Sequence, residues 1–315
     1  MNIIWVLIIF VIGLIMTVKG GDMFIEAAIW IAERTGISSG IIGATIISIA
    51  TTLPEFFVST VASNEGFSEM AVGNVIGSYI CNIAFVMGIC SLIKPIKIKS
   101  HFFGIKGIMM IAYLCIFFIL SKGGLITYRE GYFLIGLVVF FIIVNIIEHK
   151  KIDRKNKKVK RGLIKKKDIL INLLKFILGG FLIIYGAHIL VDSGVKIANF
   201  LRIPKQVISL TLLAIGTSLP ELVTSLTAIL KQRQNISLGN ILGANILNMS
   251  IAMGASALVS QRGLIISKQT LVLDIPMAMI VALIFIISGI CKEKIGRFTG
   301  LLLLSSYVVY LLIIF

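Results

Sequence analysis

Apolar residues run along this chain in long unbroken blocks. Residues 2–18, 132–147, 271–290 and 301–315 are almost continuously hydrophobic, and 108–120 is a shorter block that needs its flanks. About 20 apolar residues span the hydrocarbon core of a bilayer. Backbone groups left unpaired in lipid are costly, so spanning segments form helices or a closed barrel. Barrel strands alternate apolar and polar residues, and these blocks do not. The pattern therefore predicts an all-α polytopic membrane protein with helices at 2–33, 40–62, 71–93, 106–121, 128–148, 169–200, 205–230, 238–260, 270–290 and 297–315. The first and sixth contain polar positions, so tilt, bending or a break is expected there. The start, Met1-Asn2-Ile3-Ile4-Trp5, lacks the basic beginning and small-residue cleavage site of a secretory signal and reads as the first helix.

The chain also matches itself. A shift of 166 residues lays Thr51-Thr52-Leu53-Pro54-Glu55 on Thr217-Ser218-Leu219-Pro220-Glu221. The same shift, without a gap, lays Gly73-Asn74-Val75-Ile76-Gly77-Ser78 on Gly239-Asn240-Ile241-Leu242-Gly243-Ala244, Asn82 on Asn248, and Gly88 on Gly254. Apolar residues coincide easily by chance; Pro, Glu, Asn and Gly do not. Five helices precede the central polar segment and five follow it, and an odd number inverts the second copy. The expected organisation is a first five-helix repeat (1–148), a basic cytoplasmic loop (149–168) and a second, inverted five-helix repeat (169–315). Inverted repeats of this kind place a transport site near the bilayer midplane, where they meet.

Charge refines the topology. Only 14% of residues are charged and 58% are hydrophobic, yet the net charge is +16. The basic residues sit in short gaps between apolar blocks, which excludes a nucleic-acid surface. Eleven Lys and Arg fall within 149–168. Because such residues concentrate in cytoplasmic loops, this segment faces inward and both termini face outward. Counted over all connections, that orientation puts 21 Lys and Arg inside and 6 outside, with Lys106 among the inside set. The loop reads as a solvated topology anchor, with anionic lipid or a regulator as the alternative. Cys81, Cys90, Cys115 and Cys291 are scattered and suggest neither a disulfide framework nor a zinc site. They read as small buried hydrophobes.

Two carboxylates inside the bilayer call for a function. Glu55 and Glu221 each follow a proline within a predicted helix. Proline lacks an N–H and clashes with the carbonyl four residues back, which would free the carbonyls of Ala50 and Gly216 beside a carboxylate in a kinked helix. Ser48, Thr51 and Thr52 lie seven, four and three residues before Glu55 and share its face. Thr217 and Ser218 repeat this before Glu221, with Ala214 in place of Ser48. On the next helix of each half, Ser78 and Asn82, then Ala244 and Asn248, stand four apart. Two carboxylates, hydroxyls and amides, without Cys or His, suit a hard cation. Calcium accepts six to eight oxygens in flexible geometry, whereas magnesium parts reluctantly with its waters. Two carboxylates balance one Ca²⁺ or two Na⁺, and alternating occupancy of one site by either load is the physical basis of exchange. Ser48 and Ser78 could instead bond to backbone or a neighbouring helix. Gly73/Gly77 and Gly239/Gly243 form small-xxx-small pairs for close helix packing.

Asp22, Glu26, Asp192 and Asp274 read as capping, snorkelling or paired with Lys19 or Lys196, rather than lining a water path. His188 aligns with Asp22, and no repeat symmetry supports a relay through it.

These residues resemble the sodium/calcium exchanger family of the cation/calcium exchanger superfamily, over the whole chain in topology. The resemblance is most specific in Ala214-Ile215-Gly216-Thr217-Ser218-Leu219-Pro220-Glu221 and looser in Ser48-Ile49-Ala50-Thr51-Thr52-Leu53-Pro54-Glu55. It implies ten helices, two inverted repeats and one central cavity. It implies that Glu55 and Glu221 bridge calcium and sodium sites and that Thr51 and Thr217 are shared ligands. Thr52, Ser218, Ser78 and Asn82 would complete flanking sodium sites, and Ser48 and Ala214 would offer backbone carbonyls. Electrogenic exchange of several Na⁺ for one Ca²⁺ follows. Three positions depart from the family pattern: Ala244 stands where a hydroxyl is usual and costs one sodium site a side-chain ligand, Asn248 replaces a common Asp and cannot titrate, and Thr52 replaces Ser.

The expected function is a sodium-driven calcium antiporter in a prokaryotic plasma membrane, with Ca²⁺, Na⁺ and the lipid bilayer as partners and no cofactor. The sequence sets no oligomeric state and is compatible with a monomer. A calcium (or other cation)/proton antiporter is the alternative. A membrane enzyme lacks a nucleophile, a catalytic His or a transition-metal set, and a channel fits the inverted repeat poorly.

Overall fold

A computed structural model describes residues 3–34, 47–98, 102–153, 166–230, 232 and 234–315. Helices dominate: α1 (Ile3–Arg34), α2 (Ile47–Asn64), α3 (Ser68–Ile93), α4 (Phe102–Ser121), α5 (128–153, interrupted at Leu137), α6 (Lys166–Leu201), α7 in two pieces (Lys205–Thr217 and Leu219–Leu230), α8 (Gln234–Val259), α9 (Thr270–Lys292) and α10 (Arg297–Ile314). Among the described residues, eight helices are long and apolar enough to cross a membrane, or nine if the bent pair of α7 is one span. The chain is thus an integral membrane protein. The described part of α2 falls outside that set because one face carries Ser48, Thr51, Thr52, Glu55 and Ser59, all buried. The expected residues 40–46 of this helix lie outside the described residues.

Burial sorts the helices into an inner and an outer group. The most apolar windows of α3 and α8 are 78% and 83% buried, against 17% for α6. Outer helices instead present large apolar side chains outward: Trp5 and Ile8 on α1, Phe181 and Tyr185 on α6, Phe298 and Leu312 on α10. A water-soluble protein would not expose so continuous an apolar surface; lipid accepts it. The interior is polar where the inner helices meet and apolar around them, with Tyr79, Phe117, Phe141 and Phe285 among the largest fully buried side chains.

The packing respects the internal repeat. α3 packs on α10 and α8 packs on α5, while α1 and α6 form one extended contact. In that contact a Cβ on Gly20 would sit 2.8 Å from the Gly179 carbonyl oxygen, and one on Gly186 would sit 2.9 Å from that of Gly13. Gly13 and Gly179, like Gly20 and Gly186, are 166 residues apart, so one crossing is made twice. Two short antiparallel pairs tie helix ends together. Ile96–Lys97 (β1) pairs with Lys294–Ile295 (β4), and Leu125–Ile126 (β2) pairs with Leu264–Ile265 (β3).

Several expectations are corrected. α1 and α6 are continuous helices, without a break. α4 begins at Phe102, four residues before the expected start, so Lys106 belongs to the helix rather than to a loop. It is buried, and its Nζ donates to Asn145 Oδ1 at 2.9 Å. Within the expected loop at 149–168, the described residues up to Asp153 and from Lys166 are helical, and residues 154–165 lie outside the described residues. Cys81 and Cys90 are buried, but Cys291 is exposed. The described part of α2 is helical through Pro54, and α7 turns by 42° at Ser218.

Candidate ion-binding site

The site is assembled from four inner helices, two per half. Glu55 on α2 and Glu221 on α7 are fully buried. Their helices cross onto the opposite half: α2 packs against the π-helical stretch Asn248–Ala252 of α8, and the Leu219–Leu230 piece of α7 packs against the π-helical stretch Cys81–Met87 of α3. Each stretch holds an asparagine, Asn248 and Asn82. A π-helical turn adds a residue to the helical repeat and re-aims side chains locally, and such turns gather at functional sites.

Close approach of the helices depends on small residues. A Cβ on Gly77 would stand 2.7 Å from Ala214 Cβ and 2.8 Å from the Leu210 carbonyl oxygen. A Cβ on Gly243 would overlap the Ser48 side chain. Gly77 maps on Gly243, and Ser48 maps on Ala214, so this contact too is made twice. Among the described residues, nothing lies within 4 Å of a Cβ placed on Gly239.

Around Glu55 the second half contributes directly. Ser218 donates to Glu55 Oε1 at 3.2 Å, and Thr217 and Ser78 also face that carboxylate. The Ser78 and Thr217 hydroxyls stand 3.4 Å apart. Around Glu221, Thr51 is the facing hydroxyl, and Glu55 lies within electrostatic reach. Thr52 turns back to donate to the Ser48 carbonyl at 2.7 Å, while Thr217 lies 3.4 Å from the Ala214 carbonyl oxygen. Ser48 Oγ reaches the Gly239 carbonyl at 3.3 Å. Asn82 Nδ2 donates to Asn245 Oδ1 at 3.1 Å.

The decisive feature is a set of acceptors without donors. Glu55 Oε2, both carboxylate oxygens of Glu221, Asn82 Oδ1 and Asn248 Oδ1 are buried and make no hydrogen bond among the described residues. Buried polar groups are normally satisfied, and isolated buried carboxylates are costlier still. An oxygen-seeking cation satisfies them together, with ligand types that suit calcium or sodium.

Two site residues were not singled out from sequence. Asn74 and Asn240 had been noted only as matches between the repeats. Thr51 donates to Asn240 Oδ1 at 3.1 Å, and Thr217 donates to Asn74 Oδ1 at 3.4 Å, so each threonine is held by the other half. The signal was available: an amide inside an otherwise apolar helix, recurring 166 residues on.

The other intramembrane charges stand apart. Lys19 pairs with Asp22 at 3.5 Å, Lys175 with Glu26 at 2.6 Å, and Lys196 with Asp192 at 2.5 Å. His188 meets Glu65 at 2.8 Å. Asp274 is buried but fully engaged: Gln206 donates to Oδ2 at 2.7 Å, and Tyr310 to Oδ1 at 2.9 Å.

The profile of sodium/calcium exchanger proteins matches residues 5–147 and 171–315. The sodium/calcium exchanger MaX1 of Methanosarcina acetivorans is 27% identical, over 98% of this chain and 98% of its own. Inner membrane protein YrbG of Escherichia coli is 28% identical, over 97% of this chain and 95% of its own. Among solved structures, the sodium-calcium exchanger NCX_Mj soaked with 2.5 mM Na⁺ and 10 mM Sr²⁺ aligns with a TM-score of 0.67 and 29% identity, covering 98% of both chains.

Proposed function

The chain belongs to the sodium/calcium exchanger protein family, and from that premise we propose that it is a sodium-driven calcium antiporter. The observation that carries this reading is the group of five buried oxygens without donors on Glu55, Glu221, Asn82 and Asn248. The two carboxylates neutralise one Ca²⁺ or two Na⁺. Thr51 and Thr217 serve both loads, and Thr52, Ser218, Ser78 and Asn82 complete sodium sites. Ser48 and Ala214 contribute carbonyl oxygens.

The architecture we assign is ten transmembrane helices in two inverted halves, 1–148 and 169–315, with both termini outside and the basic segment inside. Three reciprocal contacts support it: Gly13–Gly186 with Gly20–Gly179, Gly77–Ala214 with Gly243–Ser48, and Thr51–Asn240 with Thr217–Asn74. Each pair exchanges members under the 166-residue shift, as a two-fold axis between the halves requires. The prokaryotic origin of MaX1 and YrbG supports a prokaryotic plasma membrane.

Exchange follows from charge balance. Emptied of cations, the site holds two carboxylates with no counter-charge in a medium that solvates ions poorly. Rearrangement is therefore favoured when either load is bound, which couples the two fluxes. A carboxylate could also be discharged by a proton, and the counter-ion is the point to test. In proteoliposomes, calcium flux driven by an imposed sodium gradient, and absent under a pH gradient in sodium-free buffer, is the expected result. Calcium flux under the pH gradient alone would assign the chain to calcium/proton antiport.

A further inference from the structure

The two halves carry one hydrogen-bonding motif in two different states. In the first half, Asn74 Nδ2 donates to Ser59 Oγ at 2.9 Å and to the Glu55 carbonyl oxygen at 3.3 Å, while Asn74 Oδ1 accepts from Thr217. Ser59 lies four residues after Glu55 and so shares its helix face. The 166-residue shift maps Asn74, Ser59 and Glu55 on Asn240, Ser225 and Glu221. In the second half Asn240 Oδ1 accepts from Thr51 as symmetry requires. Yet Asn240 Nδ2 and Ser225 Oγ, the two atoms that should meet, are both buried and without a partner among the described residues. Both residues are essentially inaccessible. The latch is closed on α2 and open on α7.

The open latch lies on the helix that turns: α7 bends by 42° at Ser218, three residues before Glu221. A buried donor and a buried hydroxyl left unmade are each costly. Such a state persists only if the alternative costs something comparable elsewhere. In a protein of inverted repeats, the opposite-facing state can be generated when the halves exchange conformations. That exchange closes the second latch and opens the first.

We propose that Asn74 and Asn240 are positioning residues of the ion site, and that their amides engage Ser59 and Ser225 alternately as the two halves exchange conformations. Each asparagine keeps its oxygen on the threonine ligand of the opposite half. Its nitrogen grips its own half's glutamate-bearing helix in one state and releases it in the other. The number of closed latches is one in either state, so the two states stay close in free energy while the carboxylate geometry alternates. This inference rests on the exchanger reading for its alternation, but its test uses no ion flux.

Hydrogen–deuterium exchange on the full-length chain in ion-free nanodiscs reads both segments at once. Ser59→Ala removes a bond made only in the state seen here. It should quicken exchange across residues 51–59 and slow it across 214–221. Ser225→Ala removes a bond made only in the other state, and should do the reverse. A single neutral hydrogen bond corresponds to a change of about two- to tenfold in these rates. Ser59→Thr and Ser225→Thr keep the hydroxyl and should restore the parental pattern.

Ser225 makes no hydrogen bond in this state, so a purely static role predicts that Ser225→Ala leaves exchange unchanged or tightens 214–221. Either result overturns the proposal, as does loosening of both segments in both alanine variants. If Ser59→Ala proves too unstable to measure, the sign of the Ser225→Ala change decides alone. Loss of calcium flux in vesicles would overturn the exchanger reading and leave this measurement standing.

Discussion

The Ser218 hydroxyl donates to Glu55 Oε1 at 3.2 Å, across a sequence separation of 163 residues. The first carboxylate of the site is thus dressed by the hydroxyl that precedes the second carboxylate's own proline. Neither half can build the site alone. The reciprocal holds of Thr51 by Asn240 and Thr217 by Asn74 extend the same dependence to the threonines. The two halves are therefore coupled through Ser218, Thr51 and Thr217.

Glu55→Gln and Glu221→Gln each remove one charge and keep the shape. Calcium affinity should fall roughly 100-fold, equivalent to about 3 kcal/mol. The apo proteins should melt no lower than the parent, because an unpaired buried carboxylate has gone. The check is thermal melting with and without calcium. At 100 times Kd a bound ion adds about 2.7 kcal/mol, and at the same calcium concentration that increment should fall to about 0.4 kcal/mol in both variants.

Gly243→Ala tests the close approach of the two halves. It forces a methyl group into Ser48 and should cost about 1–3 kcal/mol. The melting temperature of the purified variant against the parent measures the cost.

Ala244→Ser restores a hydroxyl opposite Ser78 in the repeat. Ala244 is fully buried on α8, and one added oxygen is a small change in volume. Sodium should then half-saturate exchange at a concentration lower by roughly threefold, with calcium half-saturation unchanged. Sodium titration of calcium flux in vesicles measures both.

Asp274→Asn tests whether every buried carboxylate belongs to the ion path. Its oxygens already accept from Gln206 and Tyr310. An amide would turn a donor toward a donor and cost about 1–3 kcal/mol of stability. The stabilisation added by calcium should be the same as in the parent.

Much of the site was legible because polar residues are rare in these helices. Pro54, Glu55, Pro220 and Glu221 stand out against an apolar background, and the shift that aligns them also orders the helices. Asn74 and Asn240 carry the same signal, but the sequence reading uses them only as matches between the repeats. The size of the bend at Ser218 was illegible, because a proline marks a weak point in a helix and tertiary context sets the angle. The β1–β4 and β2–β3 pairs join two-residue segments far apart in the chain, too short for any periodic pattern. Lys106 looked like a loop cation from composition; its partner Asn145 lies 39 residues away.

The most direct measurement of the central claim is calcium-45 uptake into proteoliposomes loaded with sodium and diluted into sodium-free buffer, with choline-loaded vesicles as control. The account predicts uptake that requires internal sodium and disappears in both Glu55→Gln and Glu221→Gln. Equal uptake in sodium- and choline-loaded vesicles, or near-parental uptake in either glutamine variant, would contradict it.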